Sequence, residues 1–274
     1  MYPWVEWGVL FRDDKEGLPR FASQQWVERL VAVNHTSPMR LAGHLCAKAV
    51  RDLLAGDDGF VRKLKTWGFQ RVQLNATAAN NFDPSTVTPD TAAILYRIAE
   101  SLPDMEFIVQ RNEETRGIWE HLLNMQPLPN ISYLFDESKG MGTVAGSYPA
   151  PPPQGVRFGY TGGLGPANLS NQLKKMAQAA GGRELWCDME SSMRSKYADG
   201  TEFFDVYKAM ACIDQVCFSG ARHSSLPCCV LRELQPGRVK QTIAIAASLL
   251  ACSSASPADM ERPNLPLPAH GIRR

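Results

Sequence analysis

Residues that can transfer protons stand where several short apolar runs of this sequence end. His44 and Cys46 close one run at alternate positions, and Asp188 and Glu190 close another in the same way. Alternate residues of a β-strand point to the same face, so each pair can act on one ligand. Imidazole, thiol and carboxyl groups can all serve as acids or bases, and these ends therefore indicate acid–base chemistry. The alternative, that they only satisfy one another or cap the helices that follow, stays open.

Amide and basic side chains close two further runs. Gln73 and Asn75 end one of them, and Gln110, Arg111 and Asn112 end the other. Polar groups that point into the mouth of a barrel are costly unless they are hydrogen-bonded or used, so their number favours a binding site. The residues predicted to bind the substrate are Asn75, Arg111, Asn112, Asp188 and Glu190.

A glycine-rich turn, Tyr160-Thr-Gly-Gly-Leu-Gly-Pro166, gives the strongest local signal. Adjacent glycines let the backbone approach a ligand closely, and the free N–H groups at the start of the next helix favour an anion. The following run ends in two hydroxyl donors, and TIM barrels commonly bind phosphate with the loops after their last strands. A turn that holds no ligand is the alternative. The predicted phosphate-binding residues are Gly162, Gly163, Ser191 and Ser192.

These residues can meet only if parallel strands place them side by side. Seven apolar runs alternate with helical patterns, at 4–11, 39–46, 71–75, 106–112, 131–136, 156–160 and 184–188, which is typical of βα units. An open nucleotide-binding sheet is disfavoured, because Gly8 stands alone where such folds have a glycine-rich turn. The predicted fold is α/β, a (β/α)8 TIM-type barrel. Since a barrel needs eight strands, either 30–34 or 215–218 is a disguised strand or the barrel is incomplete or irregular.

Composition divides the 274 residues unequally. The net charge of +1 disfavours a strongly cationic nucleic-acid binder. The last 56 residues are rich in Ala, Ser and Pro and contain none of the 24 aromatic residues. We therefore predict a barrel domain over 1–218 and a C-terminal extension over 219–274 that is largely disordered, with one helical run at 239–251. A helix that covers the bottom of the barrel is the alternative for that run.

No targeting segment or membrane span is evident. The longest apolar run, 243–252, has about half the length that a span needs. The seven cysteines fit no disulfide framework, which favours free thiols in the cytoplasm. Each candidate strand offers only two metal ligands where three or four are needed, so neither a metal nor another cofactor is predicted. The expected partner is a phosphorylated small molecule, not nucleic acid or a membrane, and the oligomeric state stays open.

Three segments resemble phosphoribosylanthranilate isomerase, an enzyme of tryptophan biosynthesis. The stretch 158–169 looks like that family's phosphate loop, 186–192 like its last strand with an Asp and two serines, and 134–143 like the segment with its general acid. The resemblance covers about 131–208 and implies a phosphate-binding barrel that isomerises a phosphoribosyl or sugar-phosphate substrate. It implies that Asp136 is the general acid.

The first strand departs from this family. Trp7 stands where the family has its basic Cys, and an indole cannot take a proton. His44 and Cys46 are the best replacements for that base, because both can titrate near neutrality. Two hypotheses follow: an aldose–ketose type isomerase with Asp136, His44 and Cys46 as catalytic residues, or an altered barrel that binds a phosphorylated metabolite without turnover.

Overall fold

The computed structural model describes residues 4–218 and, for the backbone alone, residues 241–246. The barrel strands are β1 (Val5–Phe11), β2 (Arg40–Leu45), β3 (Arg71–Leu74), β4 (Glu106–Arg111), β5 (Ile131–Phe135), β6 (Arg157–Tyr160), β7 (Leu185–Met189) and β10 (Gln241–Ala246). Strands β8 (Arg194–Lys196) and β9 (Glu202–Phe204) form an antiparallel hairpin. The helices are α1 (Gln24–Thr36), α2 (Lys48–Leu54), α3 (Gly59–Thr66), α4 (Pro89–Ser101), α5 (Arg116–Leu123), α6 (Leu169–Ala180) and α7 (Val206–Phe218).

The eight barrel strands are all parallel and close in the order β1-β10-β7-β6-β5-β4-β3-β2. A helix follows each barrel strand from β1 to β7 except β5, which a loop joins to β6, and the predicted TIM-type barrel is confirmed. Outward residues of the strands, such as Val9, Leu41 and Val72, pack against the helices. Local sequence sets several boundaries. For example, Ser23 accepts a hydrogen bond from the Trp26 N–H at the start of α1, and Pro89 occupies the first turn of α4.

The identity of the eighth strand corrects two predictions. Residues 30–34 lie in α1 and 215–218 lie in α7, so neither is the disguised strand. Instead 241–246 forms β10, which pairs with β1 on one side and β7 on the other. The boundary at 218 therefore does not separate the barrel from its extension, and the helix predicted at 239–251 is a strand over these six residues. The rest of the predicted extension, 219–240 and 247–274, lies outside the described residues.

A buried layer of charge fills the barrel at the N-terminal ends of the strands. The Arg71 guanidinium donates to Glu6 Oε1 and to Glu106 Oε1, each at 3.0 Å, and stacks on the Trp186 ring at 4.5 Å. Glu6 is fully buried. Gly159 makes room for the indole, since a Cβ there would lie 2.5 Å from the Trp186 ring. This layer fills the barrel at the end opposite the C-terminal ends of the strands, where the predicted site residues lie.

Candidate active site at the barrel mouth

A polar cleft opens at the C-terminal ends of the strands and is here called the mouth cleft. Its volume is about 60 Å3. That space holds a few water molecules or the reacting part of a small ligand. The residues that line it are Gln73, Asn75, Asn80, Gln110, Asp136, Ser138, Gly140, Gly142, Thr161, Gly162, Gly163, Leu164, Asp188, Met189, Glu190, Ser191 and Ser192. Eight of the predicted site residues therefore lie together: Asn75, Asp136, Gly162, Gly163, Asp188, Glu190, Ser191 and Ser192.

Asp188, near the end of β7, is the most perturbed carboxyl group of the cleft. The residue is 5% exposed, and Gln73 Nε2 donates to its Oδ2 at 3.5 Å. Oδ1 is buried and has no hydrogen-bond partner among the described residues. Burial raises the pKa of Asp188 to about 7, and the nearby charges of Asp136 and Glu6 add to the shift. At neutral pH this carboxyl group therefore exists in both protonation states.

Asp136, just after β5, accepts more hydrogen bonds than Asp188 does. Ser138 Oγ donates to Oδ1 at 2.5 Å, while Gln110 Nε2 at 3.1 Å and the Gly140 N–H at 2.9 Å donate to Oδ2. Burial raises the pKa of Asp136, and the bonds from Ser138 and Gly140 oppose that shift. Three donors stabilise the ionised form of Asp136 against burial, whereas Asp188 has a single side-chain donor among the described residues, so the two aspartates lie in different environments.

Glu190 follows Asp188 and is held by an arginine from the loop after β1. Arg20 Nη1 lies 3.2 Å from Glu190 Oε1, and Nη2 lies 3.2 Å from Glu202 on the β8–β9 hairpin. Burial raises the pKa of Glu190, whereas the positive charge of Arg20 lowers it. Arg20 has a φ of 91°. That backbone conformation costs a non-glycine residue about 1–2 kcal/mol, so the ion pairs hold it in place.

The glycine-rich turn packs against the chain's own backbone, which changes the reason for its glycines. A Cβ on Gly163 would lie 2.7 Å from the Gly142 carbonyl and 2.8 Å from the Val144 nitrogen. A side chain there would collide with the 138–144 loop, not with a bound anion as the sequence suggested. The N–H groups of Gly162, Gly163 and Leu164 donate to no acceptor among the described residues. They thus stay available to a ligand in the mouth cleft.

We expect Gly163→Ala to cost more stability than Gly181→Ala, because both residues have a φ of 59° but only Gly163 is crowded. The positive φ alone costs about 1 kcal/mol, and the clash at Gly163 adds about 1–3 kcal/mol. Denaturant unfolding of the two variants beside the parent measures the difference. Equal losses would show that the 138–144 loop moves aside freely and does not fix the wall of the cleft.

The predicted bases His44 and Cys46 do not line the mouth cleft. His44 lies where the charges of Glu190, Glu6 and Arg71 all affect it, and burial lowers its pKa to about 4. Cys46 is bonded to Asn75 Nδ2 at 3.4 Å and to Asn80 Oδ1 at 3.6 Å, and burial raises its pKa to about 12. At neutral pH these groups are a neutral imidazole and a thiol. Their catalytic role is untested and has little support from this geometry.

Arg111 and Asn112, predicted to bind substrate, also lie outside the lining of the mouth cleft. The Arg111 guanidinium lies over the rings of Trp119 at 4.5 Å and Phe135 at 4.8 Å. Asn112 accepts the Thr115 N–H at 3.1 Å and so forms the turn before α5. Strand alternation sends Arg111 to the face opposite Gln110, whereas Asn112 lies just beyond the end of β4 and its side chain serves the turn.

Several residues of the cleft come from loops and were not among the predicted site residues, although some of these loops were singled out in the sequence. Asn80 lies in the short turn after β3, and Ser138, Gly140 and Gly142 lie in the loop after β5. Thr161 donates to the Asp188 carbonyl at 2.9 Å and fixes the ends of β6 and β7 together. The succession of Gly140 and Gly142 beyond Asp136 was the available signal. No periodic pattern marks a loop residue as part of a site.

The ionisation of Asp188 should be visible in stability without knowledge of any ligand. Between about pH 4 and pH 7 the folded protein keeps a proton on Asp188 that the unfolded chain has lost, because the folded pKa is raised. The free energy of unfolding therefore falls as pH rises through this window, by on the order of 1 kcal/mol per pH unit. Asp188→Asn removes the titration, so we expect the variant to gain stability relative to the parent from pH 4.5 to pH 8.

Denaturant midpoints at those two pH values measure this effect, with Asp104→Asn as the matched control. Asp104 is an exposed aspartate that pairs with Lys65 on the surface, so its variant should follow the parent at both pH values. A constant difference between parent and Asp188→Asn would mean that Asp188 ionises normally in the folded protein.

Comparison with known proteins gives a likeness of outline only. No family model and no curated protein matches the chain. A family 18 chitinase from Crocus vernus aligns with a TM-score of 0.39 and 11% identity over 83% of this chain and 73% of the chitinase. A chitinase from Rhizomucor miehei aligns with a TM-score of 0.37 and 13% identity over 89% and 94%. Likeness at this level says nothing about activity here.

The predicted isomerase function is corrected. The solved structures that were found are chitinases, and the residues predicted to act as the base of the isomerase lie outside the lining of the mouth cleft. Trp7 occupies the position of the family's base, and its proposed replacements His44 and Cys46 are buried outside the lining of the mouth cleft. The resemblance of 131–208 to that family is not tested by these comparisons and stays a prediction.

The described residues hold neither a metal-binding cluster nor a helix that could cross a membrane. In that part of the chain, no three His, Cys, Asp or Glu side chains converge so that they could hold a metal ion. None of the helices described there has the length and apolar character that a bilayer crossing requires.

Proposed function

We propose that this barrel is an enzyme that performs acid–base catalysis with paired carboxyl groups on a small hydroxylated substrate. The observation that carries the proposal is Asp188, whose buried Oδ1 has no partner in a cleft and whose pKa is raised to about 7. A general acid works best when its pKa lies near the working pH. Asp136, held by three donors, supplies the ionised partner.

Hydrolysis of a glycosidic bond is the reaction that this pair suits best. Such hydrolysis uses one protonated carboxyl group to protonate the leaving oxygen and one carboxylate to assist attack at the sugar carbon. Asp188 would take the first role and Asp136 the second. The amides of Gln73, Asn75 and Gln110 surround the two aspartates and match the hydroxyl groups of a sugar.

Phosphate binding is the second candidate, supported by the free N–H groups of Gly162, Gly163 and Leu164 beside Ser191 and Ser192. Backbone N–H groups in a glycine turn can cradle an anion. Asp136, Asp188 and Glu190 line the same cleft and oppose an anion there when they are ionised. We therefore propose phosphate binding only at the rim formed by Gly162, Gly163, Leu164, Ser191 and Ser192, and we do not assign phosphate a part in the reaction.

A panel of 4-nitrophenyl glycosides tests the enzyme, with release of 4-nitrophenol as the readout. Inorganic phosphate in a thermal-shift assay tests the anion site, where a ligand at 100 times its Kd adds about 2.7 kcal/mol. Turnover of one or more glycosides that is lost in Asp188→Asn supports the proposed enzyme. Complete inactivity across the panel together with stabilisation by phosphate would favour a binding protein.

The compartment is a separate proposal. Cys46, Cys187 and Cys212 are buried free thiols in the described part of the chain. Free cysteines that are mostly buried suit a reducing environment, and we infer the cytoplasm on that ground.

A further inference from the structure

A second cleft lies outside the barrel wall, between the loop after β1 and the helices α2 and α3. Its volume is about 250 Å3, about four times that of the mouth cleft, and apolar surface predominates. We call it the aromatic cleft. The residues that line it are Phe11, Arg12, Asp13, Glu16, Ala22, Gln24, Lys48, Ala49, Asp52, Phe60, Lys63 and Trp67. None of them belongs to the mouth cleft.

Three aromatic residues give this cleft its shape. The rings of Phe11 and Phe60 meet edge to face with centroids 5.2 Å apart, and Trp67 lies about two helical turns beyond Phe60, at the C-cap of α3. Ala22 and Ala49 line the cleft between the rings. Small side chains beside aromatic rings leave a space that a flat apolar molecule can fill. Phe60 and Trp67 both remain half-buried, so part of their surface is open to such a molecule.

The charges at the rim are satisfied with one exception. Arg12 pairs with Asp14, and Lys48 pairs with Asp52. The carboxylates of Asp13 and Glu16 accept the backbone N–H groups of Lys48 at 3.1 Å and Gln24 at 2.8 Å.

Lys63 is the exception, since it has no carboxylate partner among the described residues. Its Nζ lies 4.5 Å from the centroid of the Trp67 ring. A cation held over an indole at the edge of an apolar cleft can also pair with an anion that enters it.

We propose that the aromatic cleft binds a small planar aromatic carboxylate. The ring system lies among Phe11, Phe60 and Trp67, and the carboxylate pairs with Lys63 at the rim. A volume of about 250 Å3 suits one or two fused rings. The site is independent of the chemistry at the barrel mouth, so it stands whether or not the protein hydrolyses glycosides.

Titration calorimetry with 2-naphthoate on the full chain tests the proposal. We expect Lys63→Met to weaken binding about 5-fold, which corresponds to a surface ion pair of about 1 kcal/mol. The matched control is Lys65→Met on the same helix, which removes a lysine paired with Asp104 and should leave the affinity unchanged. Trp67→Ala should weaken binding by about 10-fold or more, because it removes a ring from the wall.

The uncharged analogue 2-naphthalenemethanol separates the apolar contribution from the charge. It should bind the parent more weakly than 2-naphthoate and should bind Lys63→Met and the parent alike. The proposal fails if 2-naphthoate does not bind at millimolar concentration. It also fails if Lys63→Met and Lys65→Met change its affinity equally, which would mean that the carboxylate does not contact Lys63.

Discussion

Replacing Arg71 with methionine is expected to lower the free energy of unfolding by about 3–5 kcal/mol. Arg71 is buried and bridges Glu6 and Glu106 inside the barrel, at 3.0 Å from each. Removing the cation leaves Glu6 and Glu106 with only the more exposed Arg40, at 3.9 Å, and Arg157 as cationic partners in the described part of the chain. The Trp186 ring also loses the guanidinium stacked on it. Denaturant unfolding at pH 7 measures the loss.

Arg157→Met is the matched control for this experiment. Arg157 also pairs with Glu106, at 2.9 Å, but its side chain is 55% exposed. Surface ion pairs contribute about 0–1 kcal/mol, so this variant should remain close to the parent. Similar losses in the free energy of unfolding for Arg71→Met and Arg157→Met would contradict this prediction, because the larger loss is expected from the burial of Arg71.

Replacing Asp188 with asparagine is expected to lower kcat on any glycoside that the protein hydrolyses by about 10²- to 10⁴-fold. Asparagine preserves the size and the bond to Gln73 but has no proton to give. The pH–rate profile should change as well, since the limb near pH 7 belongs to Asp188, whose pKa is raised to about 7. KM should change little, because the surrounding amides still bind the substrate.

Asp136→Asn and Asp104→Asn complete this test. Asp136→Asn should also lower kcat by a large factor but should leave the limb near pH 7, since Asp188 remains. Asp104 is exposed, pairs with Lys65 on the surface and does not line the mouth cleft. Asp104→Asn should therefore match the parent in kcat and in its pH–rate profile. An Asp188→Asn variant that retains full kcat would remove Asp188 from the mechanism, whatever its pKa.

The two clefts differ in the polarity of the side chains that line them. The mouth cleft is small and lined by amides and carboxyl groups, whereas the aromatic cleft is larger and lined by rings. Arg12 lies at the rim of the aromatic cleft and donates to the Ala79 carbonyl at 3.4 Å, next to Asn80 of the mouth cleft. The aromatic cleft is built on the segments after β1 and β2, and the mouth cleft takes Asn75 and Asn80 from the segment after β3.

The sequence by itself determined the alternation of strand and helix and most of the chemistry at the mouth. Seven of the eight barrel strands are visible as apolar runs because their outward faces must pack against helices. Asp136, Asp188 and Asn75 follow such runs, and the parallel direction of the strands is enough to bring them to one end. The glycine-rich turn at 160–166 was also evident, because few residues tolerate its backbone conformation.

Only the tertiary structure decided which of these residues lie together and how deeply each is buried. Strand β10 lies in a segment that composition assigned to the extension, and it becomes a strand because β1 and β7 offer it partners on both sides. His44 and Asp188 both end strands, yet burial lowers the pKa of one and raises that of the other. Gly163 is required by the carbonyl of Gly142, 21 residues away in the chain. Each of these outcomes depends on distance and burial between segments remote in sequence, which local patterns do not record.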